Sequence, residues 1–436
     1  MRKEGIFIAV VVSAINTCAF CAERMSIRLL DDKIRIGGQF LIREELKSDY
    51  YTRDGKQKSD ETLSSRLRLS IDVRPKEGLG FFFTIIDTHD WDDPHPYLSP
   101  YAYDHPFDIQ QAYIYYSPKE SFFSFWAGRR EVVYLNERLI GTSIGWVNKT
   151  ITYDGAGFSL KRYNAKLDIF YLNRVIPERL DEESSFNDDW FKKPADLYGF
   201  WLTKWGVPIV RNLEFYGLYN DTDNGNDSYT FGFRVYGQRG RFDYDTNISL
   251  QFGNWRRKFG AKTVSATRRA QAFYIDLGYR FENPLPFRIA IQYNFASGDK
   301  DPRDHKYETF DQLYGCVHGK YGLMDFFRWQ NMHDLYTYID IKSSPCSRFL
   351  FGIHSFWLAQ PEDAWYNTYN AIQRLDTTGR AHRFVGNEID ILFVISFLKN
   401  FKLKLFYGHF FPATYIRDTG KSRDADYTYY ELSYEF

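Results

Sequence analysis

The spacing of its turns constrains this chain more than any other feature. Eighteen segments, from residues 33–45 to residues 427–436, alternate apolar and polar side chains with a period of two. Counted in order, the even spacers between them are short: "PKEG", "SPKES", "RYNA", "GVPIVRN", "GQRGR", "ENPLP", "SSPC" and "LKN". Their Pro, Gly, Asn and Ser supply the backbone conformations that tight turns need. Most odd spacers are long and polar, among them 47–65, 89–106, 176–195, 298–331 and 360–384. A soluble sandwich or propeller has no reason to keep that parity. An up-and-down transmembrane barrel does, with turns on the periplasmic side and loops outside the cell.

The strand faces agree. In "RLRLSIDVR", Arg66, Arg68, Ser70, Asp72 and Arg74 alternate with Leu67, Leu69, Ile71 and Val73. In "FRIAIQYNF", Arg288 and Gln292 oppose Phe287, Ile289 and Ile291, and in "EIDILFVISF", Glu388 and Asp390 oppose Ile389, Ile391 and Phe393. The final segment puts Thr428, Tyr430, Leu432, Tyr434 and Phe436 on one face, with Tyr427, Tyr429, Glu431, Ser433 and Glu435 on the other. Alternation alone fits a soluble barrel with a greasy interior as well as a membrane barrel with a wet one. Composition helps to decide. Aromatic residues make up 19% of the chain and charged residues 26%, at a mean hydropathy of −0.48. Phe and Tyr therefore carry much of the apolar character, as in strands with aromatic girdles. The net charge is zero, so it points to no particular partner.

The start of the chain supplies a compartment. "MRKEGIFIAVVVSAINTCAFCAE" has a basic beginning, an apolar run from Gly5 to Ala14 and small residues from Thr17 to Ala22. That is the pattern of a secretory signal peptide, expected over residues 1–22, with one barrel domain over 23–436. The run is too short for a spanning helix, and no later stretch is long and apolar enough for one. Only a closed barrel would then cross a bilayer, so the first strand should pair with the last. The expected fold is an all-β, eighteen-stranded antiparallel barrel in the bacterial outer membrane. Cys316 falls in a long spacer and Cys346 in a short turn, at opposite ends of an apolar belt about 25 Å tall. The expectation is two unpaired thiols, with Cys316 reachable from outside.

Three blocks resemble the alginate-export family of outer-membrane proteins. The first carries Gly128, Arg129, Glu131, Arg138, Leu139, Gly141, Trp146, Thr152, Tyr153, Asp154 and Gly155. The second carries Gly298, Asp299, Phe310, Asp311, His318, Gly322, Asp325 and Asn331, and the third runs from "GNEIDILFVISF" to the end. Ile151 stands where the family would place a basic residue before the Thr-Tyr-Asp-Gly step, with Lys149 two earlier. The resemblance implies a monomeric barrel that passes an anionic polysaccharide outward. It also implies a chain end read by the outer-membrane assembly machinery.

A path for such a polymer needs cations on a hydrated wall, with acidic neighbours that keep binding weak enough for release. Parity and the resemblance offer Arg35, Arg66, Arg68, Arg74, Arg129, Arg138, Arg174, Arg234, Arg288, Lys402 and Lys404 as inward cations. The matching acids are Asp72, Glu131, Asp154, Asp168, Asp243, Asp245, Glu388, Asp390, Glu431 and Glu435. The competing reading makes them ion pairs that hold the barrel round. A general or sugar-uptake porin would use the same scaffold. A lumen enzyme built on Glu388 and Asp390 lacks a visible nucleophile or base. "HDWDDPHP" lacks zinc-motif spacing, and Gly225 of "NDTDNGND" sits wrongly for an EF-hand. No catalytic group, metal, cofactor or nucleic-acid partner is expected; lipid of the outer membrane and the polysaccharide are.

Overall fold

The computed structural model describes residues 27–51, 56–92, 105–143, 145–148, 150–175, 195–222, 225–259 and 262–436. Eighteen antiparallel strands close into a barrel. The first six are β1 (Ile34–Tyr51), β2 (Gln57–Lys76), β3 (Leu79–Asp90), β4 (His105–Tyr116), β5 (Phe123–Arg130) and β6 (Tyr153–Arg162). Next come β7 (Ala165–Arg174), β8 (Ala195–Val207), β9 (Arg211–Thr222), β10 (Ser228–Arg239), β11 (Phe242–Phe259) and β12 (Lys262–Phe281). The last are β13 (Phe287–Ala296), β14 (Met332–Ser344), β15 (Ser347–Trp357), β16 (Phe384–Phe397), β17 (Phe401–Pro412) and β18 (Ala425–Glu435). Each expected segment is one strand. Closure comes from β1 against β18, in register from Gln39 opposite Glu435 to Ser48 opposite Asp426.

Burial separates the two barrel readings. The outward face is apolar and uncovered: Phe40, Leu67, Phe81, Phe215, Phe231, Ile248 and Ile291 all stand exposed. The charges are inside, with Arg43 and Glu388 at 0% exposure and Arg66 at 2%. A soluble barrel would have these faces exchanged. An apolar band that circles the wall, facing away from a polar interior, is a lipid-facing surface. The final strand follows the rule, with Tyr430 and Leu432 outward and Tyr427, Tyr429, Glu431 and Ser433 buried inward.

Two expectations about spacers need correction. Residues 47–65 are mostly strand, because β1 runs on to Tyr51 and β2 begins at Gln57. The charges there keep period two, with Glu45 and Lys47 buried inward. The spacer 298–331 is no solvated loop. It turns into the barrel with Phe310, Leu313, Tyr321, Met324, Phe326, Phe327 and Trp329 all buried. An apolar run of this kind is costly in water and finds its cover in the lumen. The signal segment lies outside the described residues, as does most of the 89–106 spacer.

The cysteine expectation is also overturned. Cys346 is disulfide-bonded. Cys316 is free but buried, carried inward with its insert.

The candidate substrate path

Two inserts occupy the lumen. The first, residues 131–152, leaves the end of β5 and stacks Tyr134 between Phe170 of β7 and Trp201 of β8, both at 4.8 Å. The second is residues 297–331. They join at a parallel bridge between Ile140 and Tyr314. The second insert is fastened to β16: Glu388 accepts the Met324 N–H at 2.9 Å and Asp390 the Leu323 N–H at 3.1 Å. Both carboxylates therefore anchor the second insert to the wall. Gly322 has φ +88°, and a Cβ there would strike the Glu388 carboxylate. Asn331 ties the insert to the next loop, donating to the carbonyls of Gln360 and Ala364 at 2.9 Å each. Buried Asp363 does the same from the other side, accepting from Thr309 at 2.7 Å and the Asp299 N–H at 2.9 Å. Burial raises the Asp363 carboxyl above its ordinary range despite those bonds.

Where the first insert crosses the wall, cations of three strands hold successive carbonyls. Lys404 donates to Gly145 at 3.2 Å, Arg43 to Trp146 at 2.6 Å and Arg66 to Val147 at 2.7 Å. Trp146 forms the centre of a sandwich. The Arg43 guanidinium lies 4.0 Å from one ring centroid, and the His318 imidazole stacks at 3.8 Å and 5°. Asp325 then pairs with His318 Nδ1 at 3.0 Å. Flat cationic and aromatic groups attract face to face, so this stack joins wall, first insert and second insert. Around it stand Lys47 and Arg68. The carboxylates are Glu45 and Glu431, paired with Arg43, and Glu131, paired with Arg68 at 3.0 Å. With Asp325 included, five cations (Arg43, Lys47, Arg66, Arg68, Lys404) thus meet four carboxylates where the first insert crosses the lumen.

Elsewhere the inward charges are closely matched. Arg234 forks onto Asp245 at 2.6–2.7 Å and reaches Glu214. Arg288 bridges Asp243, Asp276 and Tyr338. Near the short-turn end Arg74 pairs with Asp72, Arg35 with Asp32 and Lys402 with Glu435. Asp168 accepts from Lys166 and Ser159. Arg174 is buried inward, 5.5 Å from the Tyr314 ring.

Arg129 and Asp154 are corrections. Trp126 packs inward and Arg130 lies over the inward Tyr113, so the alternate residues of β5 face out. Arg129 forks onto Asp154 on that outer face, at 2.8 and 2.9 Å. Arg138 is inside, but on the first insert and not on the wall, 4.2 Å from the Tyr274 ring. The sequence reading missed Arg43, Lys47 and Glu45, although period two carries the inward face of Arg35 straight to them.

Within the inserts burial sets the protonation energetics. It pushes the Cys316 thiol up to about 11, with Glu137 adding to the shift. It pulls the Arg328 guanidinium down to about 10. Among the described residues no group of three or more His, Cys, Asp or Glu side chains is placed to hold a metal ion.

A closed barrel with an apolar outer belt and a charged lumen narrowed by inserts is a porin of the outer-membrane type. The family model for alginate export matches residues 32–430, and the chain belongs to that family. Among curated proteins none matches. Solved structures of Pseudomonas aeruginosa porins share the fold. OccK11 (OpdR) is 14% identical, with a TM-score of 0.55 over 96% of this chain and 99% of that one. OccK5 (OpdH) is 12% identical, with a TM-score of 0.57 over 92% and 98%. OpdK, solved with vanillate, is 10% identical, with a TM-score of 0.58 over 92% and 98%.

Proposed function

We propose that this porin passes an anionic polysaccharide of the alginate type outward across the outer membrane, as a monomer. Family membership supports the cargo class. The observation that carries the reading is the excess of cations where the first insert crosses the lumen. A uronate polymer brings one carboxylate per sugar, and a cationic narrowing with interleaved acids attracts it without holding it fast. The wall closes on its own first and last strands, so no second chain is needed to complete a path.

A second reading, uptake of small solutes, draws on a different observation. The inserts pack a buried aromatic core into the lumen, and the similarly folded OpdK was solved with a small aromatic carboxylate. Single channels in a planar bilayer separate the two. Oligouronates added from the short-turn side should block the current in a concentration-dependent way, and neutral oligosaccharides of equal length should not. Equal block by both, or block by neither, would favour the uptake reading.

A further inference from the structure

The lipid-facing wall carries a second site. On β11 the outward series Phe242, Tyr244, Thr246, Ile248, Leu250 and Phe252 gives way to Asn254. Ten residues at roughly 3.3 Å, tilted by about 40°, rise about 25 Å, the height of a bilayer's apolar belt in such barrels. Phe252 therefore marks the upper edge of the belt. On β13, Phe295 is the last outward aromatic before Ser297. At this level lies a groove of about 310 Å³, with Leu250, Phe252 and Phe295 in its lining. Arg269 and Lys300 also line it. Arg269 is exposed and faces outward opposite Phe252, and its side chain makes no hydrogen bond or ion pair among the described residues. Lys300 is 65% exposed, with Glu308 at 3.4 Å. An apolar floor continuous with the belt, under two cations at headgroup height, matches an amphiphile with an anionic head.

We propose that this groove binds a phosphorylated glycolipid of the outer leaflet, with its phosphate between Arg269 and Lys300 and an acyl chain along Leu250, Phe252 and Phe295. Glu308 opposes the anion and favours a head that is itself held in place by its buried chain. The proposal rests on the barrel's place in an outer membrane and is independent of its cargo.

The test is native mass spectrometry of the delipidated barrel titrated with bisphosphorylated lipid A, the same lipid stripped of phosphate, and inorganic phosphate as competitor. The wild type should retain one phosphorylated lipid. Arg269→Ala/Lys300→Ala should weaken retention about tenfold, since charge-assisted contacts contribute on this scale. Arg239→Ala, an exposed cation at the short-turn end, should leave it unchanged. The dephosphorylated lipid should bind both proteins equally weakly. Retention unaffected by the double substitution, or equal for the two lipids, would overturn the site. Displacement by millimolar inorganic phosphate would overturn the lipid as its ligand. Exposed surface positions should not disturb folding, and heat-modifiable migration confirms that for each variant.

Discussion

Arg68 and Arg129 look alike in the sequence, each an arginine in an alternating segment, yet they face opposite solvents. Arg68 follows the polar parity of β2 and meets Glu131 inside. Arg129 shares its parity with Phe123 and Phe125, which pack with Phe158 on the outer face. The greasy partners of its own strand therefore reveal Arg129 as outward, against the inward place that parity gave it in the sequence. Its two-bond pairing with Asp154 neutralises the charge on the outer face. Arg68→Gln should lower anion-over-cation permeability in a salt gradient, and Arg129→Gln should leave the reversal potential where it was. A shift with Arg129 equal to that with Arg68 would contradict the assignment. Cys316 makes a second residue-scale case. A long spacer implied access, but the chain's own apolar run carried the thiol inside. With its pKa pushed up to about 11 by burial, it remains almost wholly thiol at pH 8 and shielded from reagents. A membrane-impermeant maleimide should leave intact cells unlabelled at Cys316 and react only after denaturation; rapid labelling of the native barrel would place the insert elsewhere.

At the scale of elements, the strands were readable because period two acts on every residue of the wall, while the inserts obey no such period. Their signature residues were visible, but not their work. Gly298, Asp299, His318, Gly322, Asp325 and Asn331 turn out to be fasteners between insert, loop and wall. Tertiary contact alone defines them, so a single sequence shows them only as a motif without geometry. Gly322 offers the sharpest probe. Any side chain there meets the Glu388 carboxylate and must adopt φ +88°, a combined strain of about 1–3 kcal/mol. Gly322→Ala should loosen the 297–331 insert and raise single-channel conductance. The barrel's unfolding midpoint in denaturant should hardly move, because the strand ladders are untouched. A normal conductance would mean that the insert is held by its aromatic core without help from this carboxylate.

The whole molecule depends on one seam. Every other pair among the eighteen wall strands joins neighbours in sequence, whereas β1 and β18 join residues nearly the full chain apart. Polar groups reinforce the lumen side: Gln39 donates to Glu435 at 2.9 Å, the Tyr427 hydroxyl to Glu45 at 2.7 Å, and Arg43 reaches Glu431 at 3.4 Å. Phe436 finishes the seam by exchanging backbone hydrogen bonds with Gly38, at 2.9 and 3.0 Å. Its ring covers Gly38, where a Cβ would come within 2.7 Å of ring carbons. An unsealed edge exposes a row of unpaired backbone groups, which lipid cannot satisfy. Two changes separate stability from recognition. Deleting Phe436 removes both backbone bonds, worth roughly 0.5–1.5 kcal/mol each, and should lower the folded fraction on refolding into detergent as well as in cells. Phe436→Ala keeps the backbone bonds and removes only the ring. We propose that this ring is read by the assembly machinery, so the alanine variant should refold normally in detergent yet reach the membrane in reduced amount. Heat-modifiable protein measured in both settings decides it. If the alanine variant is equally abundant in membranes, the terminal aromatic matters for the seam alone; if it fails in detergent as well, the ring is part of the closure itself.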